Sequence, residues 1–363
     1  MKKKTMLAAL ILICAGALPY AQKEAEAAKN PAAYLATKAQ RESAATLRDI
    51  DGGKLYTMDY TADYKLNEML RANADDVRSC VAFIRENLLK GAPLITPAID
   101  AGCSAFTAKT AGGRVLYGRN FDYKMEMTAV LLRTAPKDGY LSIGLVDAGW
   151  LNYGIGSLSD GRADLSMTVA FPYMVMDGMN EKGLAVSVLK LDGEPARQRS
   201  GKRRIMTSVA LRLMLDRAAT VDEAVSLLDG YDMYSAMPDA DFHFLAADAS
   251  GRSVVIEYSA GKMSVLDANY VTNFYLDPAM KGQGKGKDRY EILKSVLAFK
   301  KDILSEKEAM ALLALVSQPE TEESTSMTQW SVVYDLTGLK ATVAIRRDYT
   351  KLFHFAPNDL DGN

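Results

Sequence analysis

Two β-type runs, at 104–108 and 114–122, flank the turn triplet Ala111-Gly112-Gly113 and predict a hairpin. Before it, residues 62–90 carry a helical period. Val77, Val81, Ile84 and Leu88 fall on one face, with Asp75, Asp76, Arg78, Arg85 and Glu86 off it. After it, strand-like runs follow at 129–134, 140–146 and 166–170, and Asp177-Gly178 with Asn180-Glu181-Lys182-Gly183 reads as a turn feeding another β-run. Met206, Val209 and Leu213 predict a helix over 202–217, and a capping box from Thr220 to Glu223 opens a second, to 228. Strands return at 242–247, 253–258 and 270–271. Helices follow at 292–299 and, from the capping box Ser305 to Glu308, to 316; the chain closes on β-runs at 328–335, 340–346 and 352–355. Strands at both ends with helices between predict an α+β fold in which two packed sheets lie between helix layers.

The N-terminus is of another kind. Lys2-Lys3-Lys4 precedes an apolar run over 6–18, so residues 1–21 read as a secretory signal and the protein as exported, periplasmic or extracellular. The run is short of the ~20 residues a spanning helix needs, and no later stretch predicts an integral membrane anchor. Residues 22–102 form a helical pro-segment or α-subunit, with 91–97 as connector, and 103–363 form the main domain. A net charge of −1 argues against a nucleic-acid partner. Loss of the signal removes Cys14 and leaves Cys80 and Cys103, which an exported protein can pair or keep free. No His/Cys cluster has metal-ligand spacing, so no metal is expected. The Gly- and Lys-rich stretch 281–287 lacks the phosphate-loop order and reads as a mobile loop beside the candidate site.

Chemistry concentrates in the hairpin. Cys103 follows Gly102 at the head of its first strand, and Arg119 and Asp122 close its second. A hairpin brings those ends together. If the Gly102–Cys103 bond is cut, Cys103 carries both a thiol and an α-amine, and an amine of reference pKa about 7.7–8.0 can act as base for its own thiol. The guanidinium favours the thiolate, and the carboxylate can hold the α-ammonium. Gly102 suits self-cleavage, having no Cβ.

Gly-Cys followed by Gly-Arg-Asn-Phe-Asp at this spacing resembles the choloylglycine hydrolase superfamily of N-terminal nucleophile amidases, over Cys103 to nearly the C-terminus. The long segment before the cysteine is similar in layout to acid ceramidase and N-acylethanolamine acid amidase. The resemblance implies the four-layer αββα sandwich, hydrolysis of a linear C–N amide through a thioester, no cofactor, and a small-molecule N-acyl amide as partner. It implies an active-site set of Cys103, Arg119, Asp122, Asn180, Asn273 and Arg289. In that set Asn180, from Asp-Gly-x-Asn, gives a backbone N–H to the oxyanion hole, Asn273 of Thr272-Asn273 gives its side-chain amide, and Arg289 is the catalytic arginine. Tyr123, Met125 and Met127 are candidates for an apolar acyl pocket, with ordinary core packing as the alternative. Bile-acid amides, penicillin V-like amides and N-acyl lipids share the scissile bond, and the layout tilts toward N-acyl lipid or fatty amide. The sequence leaves open hydrolase or acyltransferase, retention of 22–102 as a subunit, and oligomeric state. Two other classes compete: a Cys–His protease using His243 or His354, and a non-catalytic exported binding protein. His243, between Phe242 and Phe244, reads as a core residue.

Overall fold

The computed structural model describes residues 34–89, 101–124, 126–161, 163–319 and 327–360. The signal at 1–21, the connector at 91–97 and Met125 lie outside them. In chain order come α1 (Lys38–Ala45), β1 (Arg48–Asp49), β2 (Leu55–Tyr60), α2 (Leu66–Ala72) and α3 (Val77–Asn87). Next are the hairpin β3 (Ala101–Lys109) and β4 (Val115–Tyr123), then β5 (Ala129–Thr134), β6 (Ser142–Asp147), β7 (Val175–Asn180), β8 (Ala185–Leu191) and β9 (Arg203–Met206). After α4 (Thr207–Arg217) and α5 (Val221–Asp229) come β10 (Tyr231–Tyr234), β11 (Asp241–Ala247), β12 (Ser253–Ser259), β13 (Lys262–Asp267) and β14 (Tyr270–Val271). The end is α6 (Lys287–Lys300), α7 (Glu306–Leu315), β15 (Met327–Asp335), β16 (Lys340–Ile345) and β17 (Phe353–Phe355).

Among the described residues, one sheet runs β1-β2-β5-β6-β7-β8-β11-β12-β13 and a second runs β14-β3-β4-β15-β16-β17. Side chains alternate across a strand, and on β3 this separates two cores. Cys103 and Ala105 join the core between the sheets, whereas Phe106 and Ala108 pack on Leu293, Leu297 and Leu313 of α6 and α7. Helices α4 and α5 cover the first sheet, α6 and α7 the second. The result is the αββα sandwich.

Three sequence expectations need correction. Residues 22–102 are not helical throughout. β2 pairs in parallel with β5, Leu55 to Ala129 through Tyr60 to Thr134, so the segment before Cys103 adds β1 and β2 to the main sheet. Residues 166–170 lie in a 3₁₀ segment, Leu165–Tyr173, capped by Asp164 and containing Pro172, which has no N–H for a ladder. Residues 203–206 leave the helix expected from 202 because β9 pairs with β10.

Candidate active site

Strands β3 and β4 are antiparallel, with Gly102 opposite Asp122, Cys103 opposite Phe121 and Ala105 opposite Arg119. Gly118 is required beside this pair: a Cβ there would lie 2.5 Å from the Phe106 ring. Cys103 and Arg119 thus face the inter-sheet core, and Asp122 faces the helix side.

The backbone of Cys103 is held at both ends. Its N–H donates to Asn273 Oδ1 at 2.6 Å, and its carbonyl accepts from Arg289 Nη1 at 2.8 Å. Arg289 also reaches Asp122 Oδ2 (3.2 Å) and Asn273 Oδ1 (2.9 Å). Asp122 accepts in addition from Gln318 Nε2 at 2.7 Å and Thr328 Oγ1 at 2.5 Å. Cys103, Asp122, Asn273 and Arg289 therefore form one hydrogen-bonded cluster, all buried. Asn273 Nδ2 donates to the Lys190 carbonyl at 2.8 Å, which ties the cluster to the end of β8.

Arg119 is fully buried and donates to the carbonyls of Val188 (2.9 Å) and Asn120. Its Nε lies 3.6 Å from Asp177 Oδ2 as an ion pair, and that carboxylate accepts hydrogen bonds from Trp330 Nε1 (2.9 Å) and Tyr334 OH (2.7 Å). Burial pushes the Cys103 thiol up, and the charge and hydrogen bonding of Arg119 act against it. Burial likewise raises Asp177, against the pull of Arg119.

Asn180 stands apart. Its N–H donates to the Leu184 carbonyl at 2.9 Å, closing the β7–β8 turn. Its side chain donates to the carbonyls of Leu215 (3.0 Å) and Ala218 (2.7 Å) and accepts from the N–H of Lys182 (3.0 Å) and Leu184 (3.1 Å). Leu184, the residue before β8, is six residues from Lys190 near that strand's other end, roughly 20 Å at ~3.3 Å per residue. The oxyanion role read onto Asn180 is therefore corrected: this residue builds a turn at the far end of the strand pair. The motif residue that reaches the site is Asp177, through Arg119. Gln318 and Thr328 had no signature in the sequence. They belong to the chain's last third and meet Asp122 only through the fold.

Tyr123 and Met127 are core residues. Tyr123 stacks on Phe121 at 6.3 Å and meets Trp150 edge-on at 5.9 Å, and Met127 packs beneath Gly149. The apolar cavity at this end of the sheet lies beyond Trp150. It is walled by Val77, Cys80 and Ile84 of α3 against Met176, Met206 and Phe242. Trp150 belongs to its wall and also lies 6.1 Å from Phe121, the cross-strand partner of Cys103. Cys80 and Cys103 are free thiols. Among the described residues no group of three or more His, Cys, Asp or Glu could hold a metal, and no helix is long and apolar enough to cross a membrane.

Comparison with known proteins gives this geometry its relatives. The family model for linear amide C–N hydrolases, choloylglycine hydrolase family, matches residues 103–295, just over half the chain. The chain belongs to this family. A penicillin V acylase from Pectobacterium atrosepticum is 35% identical over 121 residues, 31% of this chain and 30% of that protein, so the chain spans less than a third of this relative. Two solved variants of the conjugated bile acid hydrolase from Clostridium perfringens share the fold of this choloylglycine hydrolase family member. One aligns with TM-score 0.55 at 18% identity, over 72% of this chain and 94% of its own. The other aligns with TM-score 0.52 at 18% identity, over 72% and 95%.

Proposed function

We propose that this protein is an exported, self-processing cysteine amidase that cleaves the linear C–N bond of an N-acyl substrate. The observation that carries the reading is the grip on Cys103: Asn273 holds its backbone nitrogen and Arg289 its carbonyl oxygen. Such a grip suits a residue whose nitrogen becomes a free α-amine. Asn273 Oδ1 already accepts from that nitrogen, and Asp122 lies across the strand pair from Gly102.

In this reading the Gly102–Cys103 bond is hydrolysed first. The α-amine then takes the thiol proton, and the sulfur attacks the substrate's acyl carbon. Asn273, whose Nδ2 lies at the β8 end of the site, donates to the developing oxyanion. As the tetrahedral intermediate collapses, the α-ammonium passes its proton to the leaving amine. Water adds to the thioester, giving the carboxylic acid and restoring the thiol. Arg119 stabilises the thiolate, Asn273 Oδ1 with the Asp122 carboxylate holds the amine, and Arg289 fixes the Cys103 carbonyl.

An apolar acyl group is the substrate class the chemistry favours. The cavity behind Trp150 is lined almost wholly by hydrocarbon and sulfur, which suits a fatty or aromatic acyl chain. Helix α3 forms one side of that cavity and β2 is a strand of the main sheet, so the segment before Cys103 is proposed to remain bound after cleavage.

Intact mass and N-terminal sequencing of the purified protein test the reading, beside Cys103→Ala. The expected result is a fragment beginning at Cys103, absent in the variant, with hydrolysis of at least one of phenoxymethylpenicillin, a conjugated bile acid and a long-chain N-acyl ethanolamine. An uncut chain that hydrolyses none of them, even after acid incubation, would refute it. Cell fractionation tests export.

A further inference from the structure

His243 lies fully buried on β11, outside the set that touches the reacting atoms. Its Nδ1 is 3.0 Å from Glu257 Oε1 and its Nε2 is 2.8 Å from the carbonyl oxygen of Thr272. The Thr272 carbonyl can only accept, so Nε2 carries an N–H toward it, and Nδ1 and Glu257 Oε1 share the other hydrogen bond of the ring. Glu257, on β12, is the ring's side-chain partner, and its oxygens take more than the ring. Oε1 accepts from the N–H of Leu276 and Oε2 from that of Asp277, each at 2.8 Å.

These contacts strap both ends of one short peptide. Thr272 is held by His243 on one side, and its Oγ1 donates to the Gly286 carbonyl at 2.9 Å on the other. Leu276 and Asp277 are held by Glu257. Between them stands Asn273, which contacts Cys103 and Arg289. Gly286 in turn precedes α6, whose first turn carries Arg289. A Cβ on Gly286 would lie 2.7 Å from Arg289 Nη2, which leaves no slack between that peptide and the guanidinium.

We propose that His243 and Glu257 are positioning residues for catalysis: as one hydrogen-bonded pair they fix the peptide that presents Asn273 and, through Thr272, the helix start that presents Arg289. The proposal rests on the amidase reading. It assigns His243 no contact with substrate and no proton transfer in the reaction. An oxyanion donor works only when it is aimed before the charge develops, and a buried pair with its hydrogen bonds met holds one geometry.

The test compares wild type with His243→Gln, Glu257→Gln and the double variant by two readouts. One is kcat and KM on whichever of the three substrates above the wild type hydrolyses. The other, which needs no substrate, is the rate at which iodoacetamide alkylates Cys103, followed by mass. For each single variant, kcat is expected to fall about 10- to 100-fold with KM within about twofold, the size of loss that small misplacement of a catalytic group produces. Alkylation slows as the amine loses its register. The double variant is expected to be no worse than the poorer single one, because the pair acts as a unit. Folded single variants with kcat within about twofold of wild type and unchanged alkylation would overturn the proposal, as would losses that multiply. If His243→Gln fails to fold, Thr272→Val, which removes only the link to Gly286, takes its place with the same expectation. A wild type silent on every substrate would count against the amidase reading, and alkylation alone would then decide the positioning role.

Discussion

Arg289 donates from Nη1 to the carbonyl oxygen of Cys103 at 2.8 Å, across a sequence separation of 186 residues. The same guanidinium holds Asp122 and Asn273, so one planar fork sets the relation among three residues from β3, β4 and the loop after β14. Lysine carries the charge without the fork. Arg289→Lys is expected to lower kcat by about 10²-fold at nearly unchanged KM, the scale of a misplaced catalytic group. Steady-state kinetics on a hydrolysed N-acyl substrate check this, and a kcat within about threefold of wild type would remove Arg289 from the machinery.

The Cys103 thiol is pushed up by burial and drawn down by Arg119. The thiolate is the reactive form, so alkylation of Cys103 should quicken as pH rises. Replacing Arg119 by Gln leaves burial in place and removes the opposing charge. The alkylation profile of Arg119→Gln is therefore expected to lie at higher pH than that of wild type. A profile that stays put would show that Arg119 serves the fold and not the thiol.

Asn180→Ala separates turn-building from catalysis. The substitution removes a buried side chain with four hydrogen-bond partners. Loss of such contacts costs on the order of 1–3 kcal/mol for each group left unsatisfied. Thermal unfolding should shift down clearly, while the folded fraction keeps kcat within about twofold. A large kcat loss in a stably folded variant would return Asn180 to the oxyanion hole.

Tyr64 ties the segment before Cys103 to the rest of the molecule. Its hydroxyl donates to Asp216 Oδ2 at 2.6 Å, and Asp216 is paired at 2.6 Å with the buried Arg212. Once the proposed cleavage before Cys103 has occurred, this clamp and the β2–β5 pairing are expected to keep the two pieces together through size exclusion and to release them only in denaturant. Tyr64→Phe leaves a buried carboxylate oxygen short of a donor and should lower the denaturant concentration at which they part. Spontaneous separation of the wild-type pieces in plain buffer would contradict this.

The cavity behind Trp150 should control acyl length. Ala236 belongs to its wall and is only partly buried, so Ala236→Leu narrows the space at modest strain. Activity on a long-chain N-acyl amide is expected to fall several-fold more than activity on phenoxymethylpenicillin. Equal losses on both would place the acyl chain elsewhere.

Much of the scaffold could be read locally. The turn triplet at 111–113 produced the β3–β4 hairpin, and the spacing of Cys103, Arg119 and Asp122 placed them at one end of it. The apolar face of Val77, Val81 and Ile84 became α3, over the cavity. Misreadings came where partners far along the chain outvoted local pattern. Residues 203–206 left a helical run to pair with β10, and residues 55–60, inside a stretch expected to be helical, became a strand because β5 offered an edge. Asn180 was read by motif, and the motif marks a turn whose strands carry the site at their other end.

The sequence by itself determined the candidate site, a cysteine after glycine with a guanidinium and a carboxylate at hairpin spacing, and an α+β order of strands and helices to hold it; its family resemblance implied the αββα form of that order. The site and the order of elements rest on short-range periodicity and on contacts within one hairpin. Only the tertiary structure decided that Arg289 grips Cys103, that Asp177 and not Asn180 serves the site, and that His243 straps the Asn273 peptide. Each of those is a hydrogen bond or ion pair between groups brought together by sheet packing, and the number of such pairings open to a linear chain is far larger than local pattern can resolve.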